Sequence, residues 1–217
     1  MTSALAWCET HAIDCLYFLA DVDDALSARL AEEHRFHLVD VRMTLELRSF
    51  GTLPDAHPRT CIRPCAPDDV SVLCMIAKLC HRDSRFYYDP HFPNALCDAL
   101  YETWIEKSCA GDADIVLVAE DQGQPTGYIA CHMDEQSGGQ IGLVGVAAAA
   151  RGRGLGRALV AESLRWFAAQ DARQVSVVTQ GRNVQAQRLY QRCGFLTRSV
   201  QLWYHRWFSH DEGQVAR

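Results

Sequence analysis

Clustered positive charge, long apolar runs and metal-spaced cysteine or histidine pairs are all missing from this sequence. The arginines form no run, and the net charge is −6 with a pI near 5.8. A nucleic-acid partner is not expected, because neutralising phosphates needs a basic surface. No segment reaches membrane-spanning length, and the start Met1-Thr2-Ser3-Ala4-Leu5-Ala6-Trp7 has neither the basic flank nor the apolar core of a secretory leader. Membrane insertion is therefore not expected either. Ten cysteines are present, but they are scattered, and several stand where a periodic segment would place an apolar residue. Cys61 and Cys65 bracket a predicted strand and the nine histidines are dispersed, so neither a disulfide framework nor a zinc site is indicated. The cysteines read as small buried hydrophobes of a reduced, cytoplasmic protein without a metal.

What is present suits a folded α/β chain. At 217 residues with 48% apolar content it can hold one large domain or two unequal ones, and the expected division is 1–57 and 58–217. The first part reads as a strand at Cys15 to Leu19, an acidic cap at Asp21 to Asp24, and a helix from Ala25 to Glu33. A long strand from Phe36 to Arg48 follows, with Val39, Val41, Met43, Leu45 and Leu47 on one face. The same strand–helix–strand order recurs at Val175 to Thr179, Asn183 to Arg192 and Phe195 to Trp207, with nearly equal spacing, which points to a partial duplication.

Between the two copies lies a linker from Gly51 to His57, then a strand from Thr60 to Cys65 and a helix from Asp68 to about His81. The stretch Arg82 to Pro93 reads as a loop rich in aromatic and hydrogen-bonding groups, before a helix from Asn94 to about Ser108. Strands at Ile115 to Glu120, Thr126 to Met133 and Ile141 to Val146 should form an antiparallel meander. A helix from Gly154 to Gln170 then crosses over to the strand at Gln174, so that strand should lie parallel to the one ending at Val146.

Arg151, Gly152, Arg153, Gly154, Leu155 and Gly156 stand between that strand and that helix. Glycines let a ligand approach the backbone closely, and the first N–H groups of a helix have no intrahelical partner, so the turn suits a pyrophosphate. A Walker loop is excluded because Arg157, not Lys, follows Gly156; a dinucleotide fingerprint is disfavoured because the strand Gln174 to Thr179 carries no acid. A glycine-rich turn serving loop geometry alone stays open.

Arg151-x-x-Gly154-x-Gly156, followed by Asn183-x-x-Ala186-x-x-Leu189-Tyr190-x-x-x-Gly194-Phe195, resembles the acetyl-coenzyme A signature of the GCN5-related N-acetyltransferases. The resemblance runs from Thr60 to about Phe208. It implies a mixed central sheet with flanking helices, whose two parallel strands splay apart around a pantetheine arm, preceded by a partial N-terminal unit. It also implies acetyl-CoA as cosubstrate and a primary amine as acceptor. Main-chain groups of Val144, Gly145 and Val146 are then expected to pair with pantetheine, and Asn183 to contact the coenzyme. Tyr190 stands where the family usually has the acid that protonates the departing thiolate. On helical spacing alone, a packing aromatic is the alternative for Tyr190, and Asn183 caps the helix in either case.

Many relatives place a glutamate on the strand before the glycine loop, and Gln140 to Val146 contains no carboxylate. A relayed water or His132 is left as the base. The extra N-terminal segment, the Ser84-Arg85-Phe86 loop and the Asn183 to Gly194 ending together resemble the dTDP-fucosamine N-acetyltransferases of surface-polysaccharide synthesis. That likeness implies a nucleotide-linked amino sugar, with Arg85 for its pyrophosphate and Phe86, Tyr87 or Tyr88 for its base. Another small amine, a protein N-terminus, or a non-catalytic acetyl-CoA-binding module remain alternatives. The sequence leaves a homodimer open.

Overall fold

Among the described residues, the apolar alternation that ends at Leu47 becomes an interior strand, third from one edge, of an eight-stranded sheet. The computed structural model describes residues 1–51 and 61–208. Most of the expected linker, the start of the third strand at Thr60 and the 57/58 division lie outside the described residues. In chain order come α1 (Thr2–Thr10), β1 (Cys15–Asp21), α2 (Ala25–Glu33), β2 (His37–Leu47), β3 (Cys61–Pro64), α3 (Val70–Cys80) and α4 (Arg85–Tyr88). They are followed by α5 (Asn94–Lys107), β4 (Ile115–Asp121), β5 (Gln124–Met133), β6 (Gly138–Val146), α6 (Leu155–Ala169), β7 (Gln174–Gln180), α7 (Val184–Arg192) and β8 (Leu196–Trp207).

Helix boundaries follow local chemistry. The Asp24 carboxylate accepts from the N–H groups of Leu26 and Ser27 and starts α2, and the Asn183 side chain accepts from the Ala186 N–H at 3.0 Å and starts α7. Such caps are worth about 1 kcal/mol each. Two elements were not expected. Helix α1 has a weak apolar stripe and buries Leu5 and Cys8, so its pattern is too faint to read in isolation. The single turn α4 lies inside the stretch expected to be loop, and Ser84 precedes it in an extended conformation.

The sheet order is β1-β8-β2-β7-β6-β5-β4-β3. Strands β3 to β6 form the antiparallel meander, and β6 pairs with β7 in parallel across the α6 crossover. At the other end the two strand–helix–strand units interlock: β1 pairs with β8, β7 pairs with β2, and β2 pairs with β8, all antiparallel. Each unit's first strand thus hydrogen-bonds to the other unit's last strand. In this way β2 comes to lie beside β7, next to the glycine turn's own half of the sheet.

One face of the sheet packs on α6 through Leu45, Ile129, Ile141, Leu159, Leu164, Phe167, Val175 and Phe195. The other packs on α3 and α5 through Leu73, Ile76, Tyr101, Ile105, Val118 and Tyr128. A smaller cluster of Leu5, Ala20, Ala31, Phe36 and Tyr204 joins the N-terminal elements to β8. All ten cysteines are free, but they are not uniformly buried: Cys8, Cys97, Cys131 and Cys193 are, whereas Cys61 is exposed on the edge strand β3. Among the described residues no helix is long and apolar enough to cross a membrane.

Candidate active site

Strands β6 and β7 pair over four positions, from Gly138 with Gln174 to Ile141 with Val177, and then part, although both continue. The separation coincides with a bulge. On the β5 side, Ile129 opposes Val144 and Cys131 opposes Ile141, so Gly142 and Leu143 stand against Ala130 alone. An extra residue bends and twists its strand, which turns the end of β6 away from β7 and opens a cleft.

Two chambers occupy that cleft. The first, of about 600 Å³, is bounded by the glycine turn, the start of α6 and α7. The second, of about 470 Å³, lies toward α3, α4, α5 and β2. Cys80, Val144, Asn183, Ala186 and Tyr190 line both and mark where they meet.

The first chamber is basic. Arg151, Arg157, Arg188 and Arg192 line it, with Asp83 as its carboxylate. The turn presents Gly152, Gly154, Leu155 and Gly156, and Gly154 caps α6 with φ at +82°, a conformation that L side chains rarely adopt. Gly156 serves a different purpose, since a Cβ there would lie 3.2 Å from Leu189 and crowd its side chain on α7. Helix N–H groups, a backbone open to close approach and four guanidiniums fit a pyrophosphate and a further phosphate, as in acetyl-CoA.

Other expected residues fall differently. Arg153 turns to the Asp121 carboxylate at 2.7 Å and is absent from the chamber wall, so the positive charge comes instead from Arg157, Arg188 and Arg192. Those three sit at helical spacing on α6 and α7, where a charge is read first as a solvated face. Val144 and Val146 line the first chamber, but the Val146 carbonyl already accepts from Cys80 Sγ at 3.2 Å and Arg151 Nε at 3.1 Å. Pairing with a ligand amide at Val146 is thereby narrowed to its N–H. Gly145 makes room for a ring: a Cβ there would meet Tyr128 at 2.6 Å.

Tyr190 stands at the junction with 5% of its surface exposed, its ring 5.8 Å from that of Phe195. Burial pushes its hydroxyl well above the ordinary phenol range, with a smaller contribution from Cys193. The residue is therefore a core aromatic and a cleft residue at once, and its oxygen keeps its proton at every physiological pH.

The second chamber is walled by aromatic rings. Phe86, Tyr101, Trp104 and Trp203 line it, together with Arg42 and Arg85. Arg85 lies over the rings of Phe86 at 4.2 Å and Trp203 at 4.4 Å, and its buried Nε has no hydrogen-bond partner among the described residues. Desolvation lowers its pKa. Tyr87, expected beside it, is turned into the packing between α4 and α5: its hydroxyl donates to Asp98 at 2.8 Å and its ring stacks on Tyr101. His132 sits one strand away, its Nδ1 at 3.2 Å from the Asp112 carbonyl oxygen, and does not line either chamber. His81 does line the second, stacked on Tyr101 with Nε2 at 2.9 Å from the Tyr128 hydroxyl, and burial lowers its pKa to about 4. Among the described residues no group of three or more His, Cys, Asp or Glu side chains could hold a metal ion.

Valine at position 154 should weaken acetyl-CoA binding at least tenfold, because a β-branched residue at positive φ costs on the order of 1–3 kcal/mol and its side chain would stand over the N–H groups. Unchanged affinity by calorimetry in a folded Gly154→Val protein would remove the turn from the binding site.

The acetyltransferase (GNAT) family model matches residues 78–195. The chain is 28% identical to the spore coat polysaccharide biosynthesis protein SpsD of Bacillus subtilis, over 66% of this chain and 50% of that one. It is 32% identical to a mycothiol acetyltransferase of Mycobacterium avium, over 77% and 57%, and 27% identical to a dTDP-fucosamine acetyltransferase of Escherichia coli, over 64% and 59%. The chain thus spans about half the length of the curated relatives it matches. In fold it is similar to the crystal structure of a GCN5-related N-acetyltransferase from Sphaerobacter thermophilus, with a TM-score of 0.65 and 19% identity over 95% of this chain and 67% of that one.

Proposed function

The chain belongs to the acetyltransferase (GNAT) family, and on that premise we propose that it transfers the acetyl group of acetyl-CoA directly to the 4-amino group of a dTDP-4-amino-4,6-dideoxyhexose. The observation that carries this reading is the two-chamber cleft: a basic chamber that suits a coenzyme's phosphates and an arginine-bearing aromatic chamber meet at Tyr190. Names among the relatives support the acceptor class, since one acts in polysaccharide biosynthesis and another acetylates dTDP-fucosamine.

Acetyl-CoA supplies an acetyl thioester, whose carbonyl carbon is open to a neutral amine. The chain's own residues hold and orient the two partners. The turn from Arg151 to Gly156 takes the pyrophosphate, the free edge of β6 beside Val144 takes the pantetheine, and Asn183 stands where α7 begins beside it. A main-chain N–H on that edge can donate to the acetyl oxygen as negative charge develops there. Tyr190 gives a proton to the sulfur as the carbon–sulfur bond breaks. In the second chamber, the partnerless Nε of Arg85 faces a demand for an anion, which a sugar nucleotide's pyrophosphate meets, while Phe86 offers a flat face for the base. The 1–57 segment is read as a partial copy of the acetyltransferase unit, whose strands β1 and β2 join the sheet rather than forming a second site.

The deciding experiment is an acceptor panel containing dTDP-fucosamine, other amino sugars, polyamines and peptide N-termini. Arg85→Ala should raise KM for the nucleotide sugar about tenfold or more, the loss of one charge-assisted contact worth roughly 1.5–3 kcal/mol, and leave KM for acetyl-CoA unchanged. Acetylation of peptides or polyamines with none of any nucleotide sugar would discard this acceptor.

A further inference from the structure

We propose that Asp40, on the N-terminal strand β2, binds the ammonium group of the acceptor in the second chamber and takes its proton. The proposal rests on the reading above that this chamber holds the amine.

An amine of ordinary basicity arrives protonated at neutral pH and has no lone pair to attack with, so a base must lie inside the chamber. Strand β6 carries no carboxylate, and His132 is turned to Asp112. His81 lines the chamber, but burial leaves it with little affinity for a proton and its Nε2 is engaged with Tyr128. Among the described residues that line the chamber, one carboxylate remains, that of Asp40.

Its placement follows from strand geometry. Leu45 and Leu47 of β2 point into the core against α6, so the alternate positions, Arg42 and Asp40, point to the opposite face, where the chamber lies. A bulge sharpens this: Leu38 opposes Tyr204 and Asp40 opposes Trp203, so Val39 is the extra residue that re-aims the strand just before Asp40. The carboxyl is 95% buried yet incompletely paired. Its Oδ1 accepts from the Val41 N–H at 2.9 Å and lies 3.6 Å from Arg182, which leaves Oδ2 for a ligand. A buried carboxylate with one open oxygen is costly unless a cation completes it, and an ammonium does so. Burial raises its pKa against the opposing pull of Arg182 and Arg85, with Asp83 acting in the same sense as burial. Besides Arg85, the other titratable groups of the chamber wall are Arg42, Cys80, His81, Tyr101 and Tyr190. A carboxylate made more basic in this way accepts an ammonium proton more readily.

The proton count closes. Asp40 takes one proton from R–NH₃⁺, and the nitrogen lone pair forms the carbon–nitrogen bond at the thioester carbon. The carbon–sulfur bond breaks and the sulfur takes the Tyr190 proton. The nitrogen's second proton leaves as the amide forms and restores Tyr190, while Asp40 releases its own to solvent. One proton is released per turnover.

The test compares two ligands that differ at one group, dTDP-4-amino-4,6-dideoxygalactose and dTDP-6-deoxygalactose, the second bearing a hydroxyl in place of the amine. Asp40→Asn should weaken binding of the first about tenfold or more, leave the second and acetyl-CoA unchanged, lower kcat about a hundredfold, and abolish the acid limb of the kcat/KM profile. Equal losses for both ligands, or an unaltered acid limb, overturn the proposal. Should the asparagine protein not bind acetyl-CoA and so not be folded, Asp40→Ser, which keeps an acceptor for the Val41 N–H, replaces it in the same comparison. If the wild type takes no nucleotide sugar, the acceptor reading falls alone, and the rate and acid-limb measurements on whichever panel amine it does acetylate decide Asp40. A wild type that acetylates no amine of the panel overturns both.

Discussion

Phenylalanine at position 190 should lower kcat by about a hundredfold or more while acetyl-CoA binds nearly as before. Tyr190 lines both chambers, the proposed reading gives its hydroxyl the protonation of the departing thiolate, and positioned acids contribute roughly 10²–10⁴ in rate. In water, proton transfer from a phenol of pKa about 10 to a thiolate of pKa about 8.5 is uphill by roughly 2 kcal/mol. Burial raises the Tyr190 pKa further, but the departing thiolate shares that poorly solvated space and is made more basic by the same desolvation, so the gap does not widen in proportion. Because the ring remains in Tyr190→Phe, its contact with Phe195 and the core should survive. The measurement is a single-turnover rate beside a calorimetric affinity. A normal single-turnover rate would assign Tyr190 to packing alone; a parallel loss of affinity and rate would make it a binding residue.

Alanine at position 89 should remove about 3–5 kcal/mol of folding stability. Asp89 ends the turn α4 and is nearly inaccessible, with 3% exposure. One carboxyl oxygen accepts from His205 Nδ1 at 2.6 Å and Trp207 Nε1 at 2.9 Å, while the other accepts from the His91 backbone N–H at 3.0 Å and lies 2.8 Å from His91 Nδ1. Those contacts fasten the loop that carries Arg85 to the last strand of the sheet. Removing the acceptor strands several donors in the interior, including the fully buried His205. Burial by itself would raise the Asp89 pKa, but the bonds from His205, Trp207 and His91 outweigh it and hold the carboxyl at about 2. Its folded pKa lies below the unfolded value, so its contribution is complete above about pH 4 and is lost as pH falls toward 2, on the order of 2 kcal/mol. Urea midpoints across that range should fall for the wild type and stay flatter for Asp89→Ala. An alanine protein as stable as the wild type at neutral pH would show that the cluster is not a structural tie.

Much of this was legible in the chain itself. The glycine turn, the crossover helix and the two strand–helix–strand units show in sequence because each depends on neighbours a few residues away: periodicity, caps and turn residues act locally. The observed strands and helices accordingly fall close to their expected bounds, apart from α1, whose stripe is faint, α4, a single turn, and β6, which begins at Gly138 rather than Ile141. What the sequence could not settle is which distant residues meet. Arg153 and Arg157 look alike along the chain, yet Asp121 claims the first and the cleft receives the second. Tyr87 and Arg85 stand in one expected loop, and the turn α4 sends one to Asp98 and leaves the other over Trp203. Alternation in β2 already set Asp40 opposite the apolar face, but only the exchange of last strands between the two units lays β2 beside β7 and brings that carboxylate into the chamber. Local propensity determines the elements, whereas the company each side chain keeps is decided by pairings between residues more than a hundred positions apart, such as Asp40 with Trp203 and Asp89 with His205, which no short-range pattern encodes.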